Sequence, residues 1–133
     1  MSDLKCIVVT PESTVLDERA HFVALPLYDG EIGIGPSHSP LIGRLGFGEM
    51  RIDVGQTIER YYVEGGFVEV LGNVVSVLTH RAVAAEKLDV SVAEEQLAAA
   101  RSRPANTPDL MASRDRAVTQ ARARLRVARR AAK

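Results

Sequence analysis

The sequence predicts a two-part α+β fold: an N-terminal antiparallel β-sandwich of about ten short strands over residues 1–86, then an antiparallel two-helix hairpin over residues 87–133. Three observations carry that prediction. All ten glycines precede residue 73. In the same stretch, apolar and β-branched runs of four to eight residues alternate with Gly, Pro, Asn and Asp, whose backbone preferences suit tight turns. From residue 88 the period changes, and Ala, Glu, Gln, Leu and Arg dominate, all of them helix formers.

The first strand covers residues 4–10 and stops at Pro11. Residues 14–16 and 20–25 follow as strands, with the charged residues 17–19 read as the turn between them. Further strands fall at 31–34, 41–42, 49–54, 60–64, 67–71 and 74–78, the last three separated by Gly65-Gly66 and Gly72-Asn73. Side chains two apart share a strand face. Met50, Ile52 and Val54 therefore face a core, while Arg51 and Asp53 face out. Glu69 shares its face with Phe67 and Leu71, which predicts a strand covered on both sides.

The first helix starts near Ser91-Val92-Ala93-Glu94, which has capping-box spacing, with Asp89 as a competing N-cap. Ala93, Leu97 and Ala100 form its apolar stripe. Residues 104–108 break the pattern. Thr107, Pro108 and Asp109 then supply a cap, a proline at the first helical position and an acid in the first turn. The second helix runs over 108–131 with a stripe of Val118, Ala121, Leu125, Ala128 and Ala132. A connection of about five residues folds the two back on each other. An alanine-rich seam buries little area, at roughly 25 cal/mol per Å2, so the sequence predicts a hairpin that can detach.

With 46% apolar and 26% charged residues in 133, the chain is not a disordered one. It has no run of eighteen apolar residues to span a bilayer, and Met1 onward lacks the basic and apolar regions of a secretory signal. Cys6 is alone, cannot form an internal disulfide, and reads as a small core hydrophobe. The zero net charge hides a division. Residues 1–89 hold thirteen acids and seven bases; residues 90–133 hold four acids and ten bases. Such asymmetry points to two parts with different partners.

No C-x-x-C, H-x-x-x-H or G-x-S-x-G occurs, and no helix opens after Gly33-x-Gly35, so the sequence implies no metal, no cofactor and no catalytic residue. His21, His38 and His80 read as structural or interface residues. The basic second helix reads either as a solvated face or as an electrostatic docking surface, for which Arg122, Arg126, Arg129 and Arg130 share a broad side. A nucleic-acid-binding adaptor is the rival reading, since neutralised phosphates give affinity. Against it, the basic segment contains no aromatic residue.

Residues 29–41, Asp29-Gly-Glu-Ile-Gly-Ile-Gly-Pro-Ser-His-Ser-Pro-Leu41, closely resemble the G-E-x-G-I-x-P-x-H-x-P-L stretch of the epsilon subunit of bacterial F-type ATP synthases. Gly48-Glu-Met-Arg-Ile52 resembles that family's G-x-x-R-I strand, and Glu64-Gly-Gly-Phe-Val-Glu-Val70 is similar to its G-G-x-x-E-V hairpin. The resemblance implies a rotor subunit, not itself an enzyme, at the foot of the central stalk. It implies binding to the gamma subunit and the c-ring, peripheral placement on the cytoplasmic face of the cell membrane through the complex, and no nucleic-acid partner. It implies that Glu31, Ile32, Gly33 and His38 lie at the c-ring interface. It also implies C-terminal helices that can rise to the alpha/beta catalytic head and block ATP hydrolysis, with the Arg cluster meeting an acidic segment of beta. Some members bind ATP through I/L-D-x-x-R-A. Here Leu88, Asp89 and Ala93 keep that pattern, but Val92 replaces the arginine and offers no charge-assisted hydrogen bond to a nucleotide.

Overall fold

A computed structural model describes residues 3–133, so the reading of Met1 and Ser2 as free of secretory features lies outside the described residues. The strands are β1 (Leu4–Val9), β2 (Thr14–Ala20), β3 (Phe22–Leu27), β4 (Gly30–Ile34), β5 (Leu41–Arg44), β6 (Phe47–Asp53), β7 (Ile58–Glu64), β8 (Phe67–Leu71), β9 (Val74–Leu78) and β10 (Ala82–Ala84). They form two five-stranded sheets. Sheet A has the order β2-β1-β9-β8-β5 and sheet B the order β10-β7-β6-β3-β4. Every pairing within the sheets is antiparallel except β1 with β9, which is parallel.

The period of two builds the core. Cys6, Val8, Val68, Val70, Val75 and Val77 from sheet A pack with Val23, Leu25, Ile34, Met50, Ile52 and Val63 from sheet B, all with 1% or less of their surface exposed. Burial pushes the Cys6 thiol up to about 12, so it stays a neutral thiol and behaves as the small core hydrophobe the sequence predicts.

Two sequence readings are corrected here. Residues 17–19 are not a turn: they lie inside β2, where Asp17, Glu18 and Arg19 pair with Ile7, Cys6 and Lys5. The chain turns at His21, and β3 starts at Phe22. An edge strand tolerates charge because one side has no strand to match, and charged edges resist pairing with other chains. The strand at 67–71 is not covered on both sides: Phe67, Glu69 and Leu71 are all exposed. The sandwich is antiparallel as the sequence predicts, with β1–β9 as its one parallel pair.

The chain divides into two compact units, one ending at Ala84 and one beginning at Ala85. The second holds a short 3-10 turn (Ala85–Lys87), α1 (Val90–Arg101) and α2 (Pro108–Ala131). Asp89, not Ser91, caps α1: its Oδ1 accepts from the Val92 amide at 3.1 Å. Thr107 Oγ1 accepts from the Leu110 amide at 3.1 Å and Pro108 follows, as the sequence predicts for α2. The seam between the helices is Ala93, Leu97 and Ala100 against Ala121, Leu125 and Ala128, with Ala117 and Val118 at its margin. Ala132 lies past the end of α2 and is exposed, so it does not extend the stripe. Arg124 Nη1 donates to Gln96 Oε1 at 2.9 Å across the hairpin.

Candidate functional site

The outer face of sheet B carries a ladder of alternating charge. Arg51 on β6 grips Glu31 on β4 with both guanidinium nitrogens, at 2.9 and 3.5 Å. Its Nη1 also lies 3.6 Å from Glu49 Oε1, and Arg60 on β7 donates to the same oxygen at 2.9 Å. Arg51 can reach across β3 because the residues in its row are small: it is paired with Ala24, which is paired with Gly33. The hydrogen bond to Glu31 raises the Arg51 pKa further above its ordinary value. The Glu49 side chain is only 5% exposed, so its two arginines compensate a largely dehydrated charge.

Of the four residues expected at the c-ring, Glu31 and Gly33 face out on this sheet. Ile32 turns the other way, opposite Leu25, and packs against the core. Gly33 lies under the Phe22 ring, where a Cβ would fall 2.5 Å from Phe22 Cζ. His38 sits half-buried in the Pro36–Pro40 loop, its Nδ1 donating to the Ser39 carbonyl at 2.8 Å. Thus β4 brings Glu31 and Gly33 together, and His38 follows on the loop that leaves it.

The outer face of sheet A is different in kind. Register aligns Arg44, Phe67, Leu78 and Val9 in one row and Ile42, Glu69, Ser76 and Ile7 in the next. Ile42 is 74% exposed, Phe67 58%, Leu71 59% and Leu78 54%. Four large apolar side chains left in water on one sheet face are a feature of binding surfaces. The sequence contained the signal, since Phe67 and Leu71 alternate with buried Val68 and Val70, but the reading spent it on a second covering layer.

In the helical unit, Arg122, Arg126, Arg129 and Arg130 do share a side. With Arg101 and Lys133 they line a groove of about 490 Å3 whose apolar residues are Leu97 and Leu125. Asp89 is used as a helix cap, and Val92 beside it is 49% exposed. Among the described residues, no group of three or more His, Cys, Asp or Glu could hold a metal ion, and no helix is long and apolar enough to cross a membrane.

A β-sandwich with a charged ladder on one outer face and four exposed large apolar side chains on the other, followed by a helical hairpin with a basic groove, defines a two-part α+β protein. Residues 3–85 match the family described as ATP synthase, Delta/Epsilon chain, beta-sandwich domain. The chain is 47% identical over 126 residues to the ATP synthase epsilon chain of Rhodopirellula baltica, covering 95% of this chain and 98% of that one. It is 39% identical over 127 residues to the epsilon chain of Syntrophobacter fumaroxidans, covering 94% and 95%. The fold also matches a chain in the Euglena gracilis mitochondrial ATP synthase OSCP/F1/c-ring structure, with a TM-score of 0.84 at 20% identity over 92% of this chain and 79% of that one. A chain in the Tetrahymena thermophila central stalk/c-ring structure matches with a TM-score of 0.76 at 11% identity over 96% and 97%. The chain belongs to the ATP synthase epsilon chain family.

Proposed function

We infer that the chain is a non-catalytic rotor subunit of an F-type ATP synthase. It binds the gamma subunit in the central stalk, rests on the c-ring at the cytoplasmic face of the membrane, and helps couple proton transport to ATP synthesis. The observation that carries this reading is the apolar outer face of sheet A, which takes gamma. Membership of the family supports that occupant, as does the likeness of fold to chains in c-ring and central-stalk assemblies. Fully burying one such side chain is worth about 1.5–3 kcal/mol, and four stand ready. Phe67→Asp and Leu78→Asp in the full chain are expected to abolish co-purification with gamma while leaving the circular dichroism spectrum unchanged, because neither residue belongs to the core. Retained gamma binding by both variants overturns the assignment.

The c-ring meets the outer face of β4 and the loop after it. Glu31, fixed by Arg51, gives register, Gly33 makes room for the Phe22 ring that covers the strand there, Ile32 braces the strand from within, and His38 completes the surface. An exposed ion pair contributes only about 0–1 kcal/mol, so shape supplies most of the hold.

The basic groove docks Arg122, Arg126, Arg129 and Arg130 on an acidic segment of the beta subunit in the alpha/beta head, and so limits ATP hydrolysis. This requires the hairpin to take two positions. A partner shifts such a balance only by preferring one of them, and a change from 1:99 to 99:1 needs about 5.5 kcal/mol of preference. Removal of residues 89–133 from the assembled complex is expected to raise hydrolysis, and added salt to weaken inhibition, since screening acts over about 8 Å at physiological ionic strength. Unchanged hydrolysis after removal ends the inhibitory reading.

A further inference from the structure

Among the described residues, only two other than glycine have positive φ: Ser37 at 64° and Asn73 at 61°. They lie 36 positions apart, yet the Ser37 amide donates to Asn73 Oδ1 at 2.7 Å. Left-handed backbone is disfavoured for a residue with a Cβ, so each of these conformations needs support from its surroundings. Here one hydrogen bond joins the two.

The turn explains why Asn stands there. Gly72 and Asn73 connect Leu71 of β8 to Val74 of β9, which are paired, and both have positive φ, as in a type I′ hairpin turn. The usual order for that turn is Asn then Gly. This chain reverses it. The reversal sets the freest residue first, at Gly72, and places the amide side chain at the second position, where it meets Ser37. The Asn73 carbonyl accepts from the Lys5 amide at 2.8 Å, which anchors the turn to the start of β1. The acceptor offered to Ser37 therefore sits on a fixed support.

On the other side of the bond is the loop from Pro36 to Pro40. Both prolines restrict their own φ and bias the preceding residue, and His38 is held locally by its hydrogen bond to the Ser39 carbonyl. Among the described residues, no other hydrogen bond ties residues 36–40 to a different element. Between its attachments to β4 and β5, the loop is thus tied to another element by the bond to Asn73.

We propose that Asn73 is a positioning residue that locks the His38 loop to the β8–β9 hairpin. That hairpin also carries Phe67, Leu71 and Leu78 of the apolar face. One side-chain hydrogen bond therefore links the surface assigned to gamma with the loop assigned to the c-ring, so that torque enters and leaves through one stiff body. This role rests on the assignment of the loop to the ring, and deepens it.

The test separates acceptor from backbone. Asn73→Gly keeps the left-handed turn and removes the acceptor; Asn73→Asp keeps an acceptor oxygen. In the isolated full chain, hydrogen exchange at the Ser37 amide is expected to accelerate about tenfold in Asn73→Gly, the scale of one lost net hydrogen bond, and to stay near wild type in Asn73→Asp. In membranes carrying the assembled complex, proton-driven ATP synthesis is expected to fall in Asn73→Gly and to be restored in Asn73→Asp. Unchanged Ser37 exchange in Asn73→Gly overturns the lock. Faster Ser37 exchange with undiminished ATP synthesis leaves the lock standing and overturns the assignment of the loop to the ring.

Discussion

Truncating Leu125 to alanine tests the hairpin directly. Leu125 is 5% exposed and Leu97 9%, and the remaining buried residues of the seam are alanines. A Leu→Ala change in a packed site costs about 2–5 kcal/mol, more where neighbours cannot move in to fill the space. Alanines have no side-chain torsions with which to do so, which places the loss near 3 kcal/mol. That is roughly a hundredfold in the opening equilibrium. Helix propensity does not offset it, because alanine exceeds leucine only slightly. The consequence falls unequally on the two helices. α1 has 12 residues, about the length at which an isolated helix is marginal in water, so it should lose order once unpaired. α2 has 24 residues and a Thr107 cap, and should keep much of its helicity. Amide hydrogen exchange resolved by residue is the assay, with Leu125→Met as a volume-conserving control. Exchange in α1 within about threefold of wild type, where local opening should govern it, refutes the reasoning. It would mean that the alanine seam, not the leucine pair, holds the helices together.

The sandwich should respond to pH through Glu18, which lies beside Glu59. Glu18 faces inward from β2 opposite Cys6, and Glu59 faces inward from β7 opposite Ile52. Partial burial, helped by the neighbouring Glu59 carboxyl, pushes Glu18 up to about 7 from an ordinary 4.5. The folded chain therefore keeps a proton that the unfolded chain has lost between those values. The stability this supplies is complete below pH 4.5 and disappears as pH rises through 7. Urea midpoints measured across that range should fall with pH in the wild type and flatten in Glu18→Gln; a slope shared by both excludes the pair as the cause. On the other sheet face, Arg51→Gln should leave the melting temperature nearly unchanged, since Glu31 is half-exposed and Glu49 keeps Arg60. Loss of more than about 1 kcal/mol, the ceiling for an exposed pair, would show that the ladder acts as one cooperative network.

What the sequence showed and what it hid follow from the range of each interaction. The α2 start at Thr107-Pro108 was legible because a cap, a proline and an acid act within one turn. The inward set Met50, Ile52 and Val54 was legible because alternation is local. β2 was misread because Asp17, Glu18 and Arg19 look like a turn until β1 is known to lie alongside, and an edge strand exposes half its charges without cost. Arg51 was legible as an outward residue but not as half of a pair, because its partner Glu31 lies 20 residues away across a strand whose small residues make the reach possible. Likewise, Gly72-Asn73 announced a turn but not that its side chain would serve a loop 36 residues earlier. Family resemblance supplied Glu31 and His38 as a surface; the parity of β4, which turns Ile32 inward, needed the register.

The parallel pairing of β1 with β9 fixes when this fold can be completed. Lys5 to Val9 must wait for Val74 to Leu78, so a chain emerging from the ribosome can zip β1 to β2 early but cannot close sheet A until nearly the whole sandwich has been made. Closure across so long a loop is slow, and until it happens one flank of the β1–β2 hairpin is an open template. β1 therefore keeps one unpaired edge until β9, the far partner in its parallel pair, has folded alongside it.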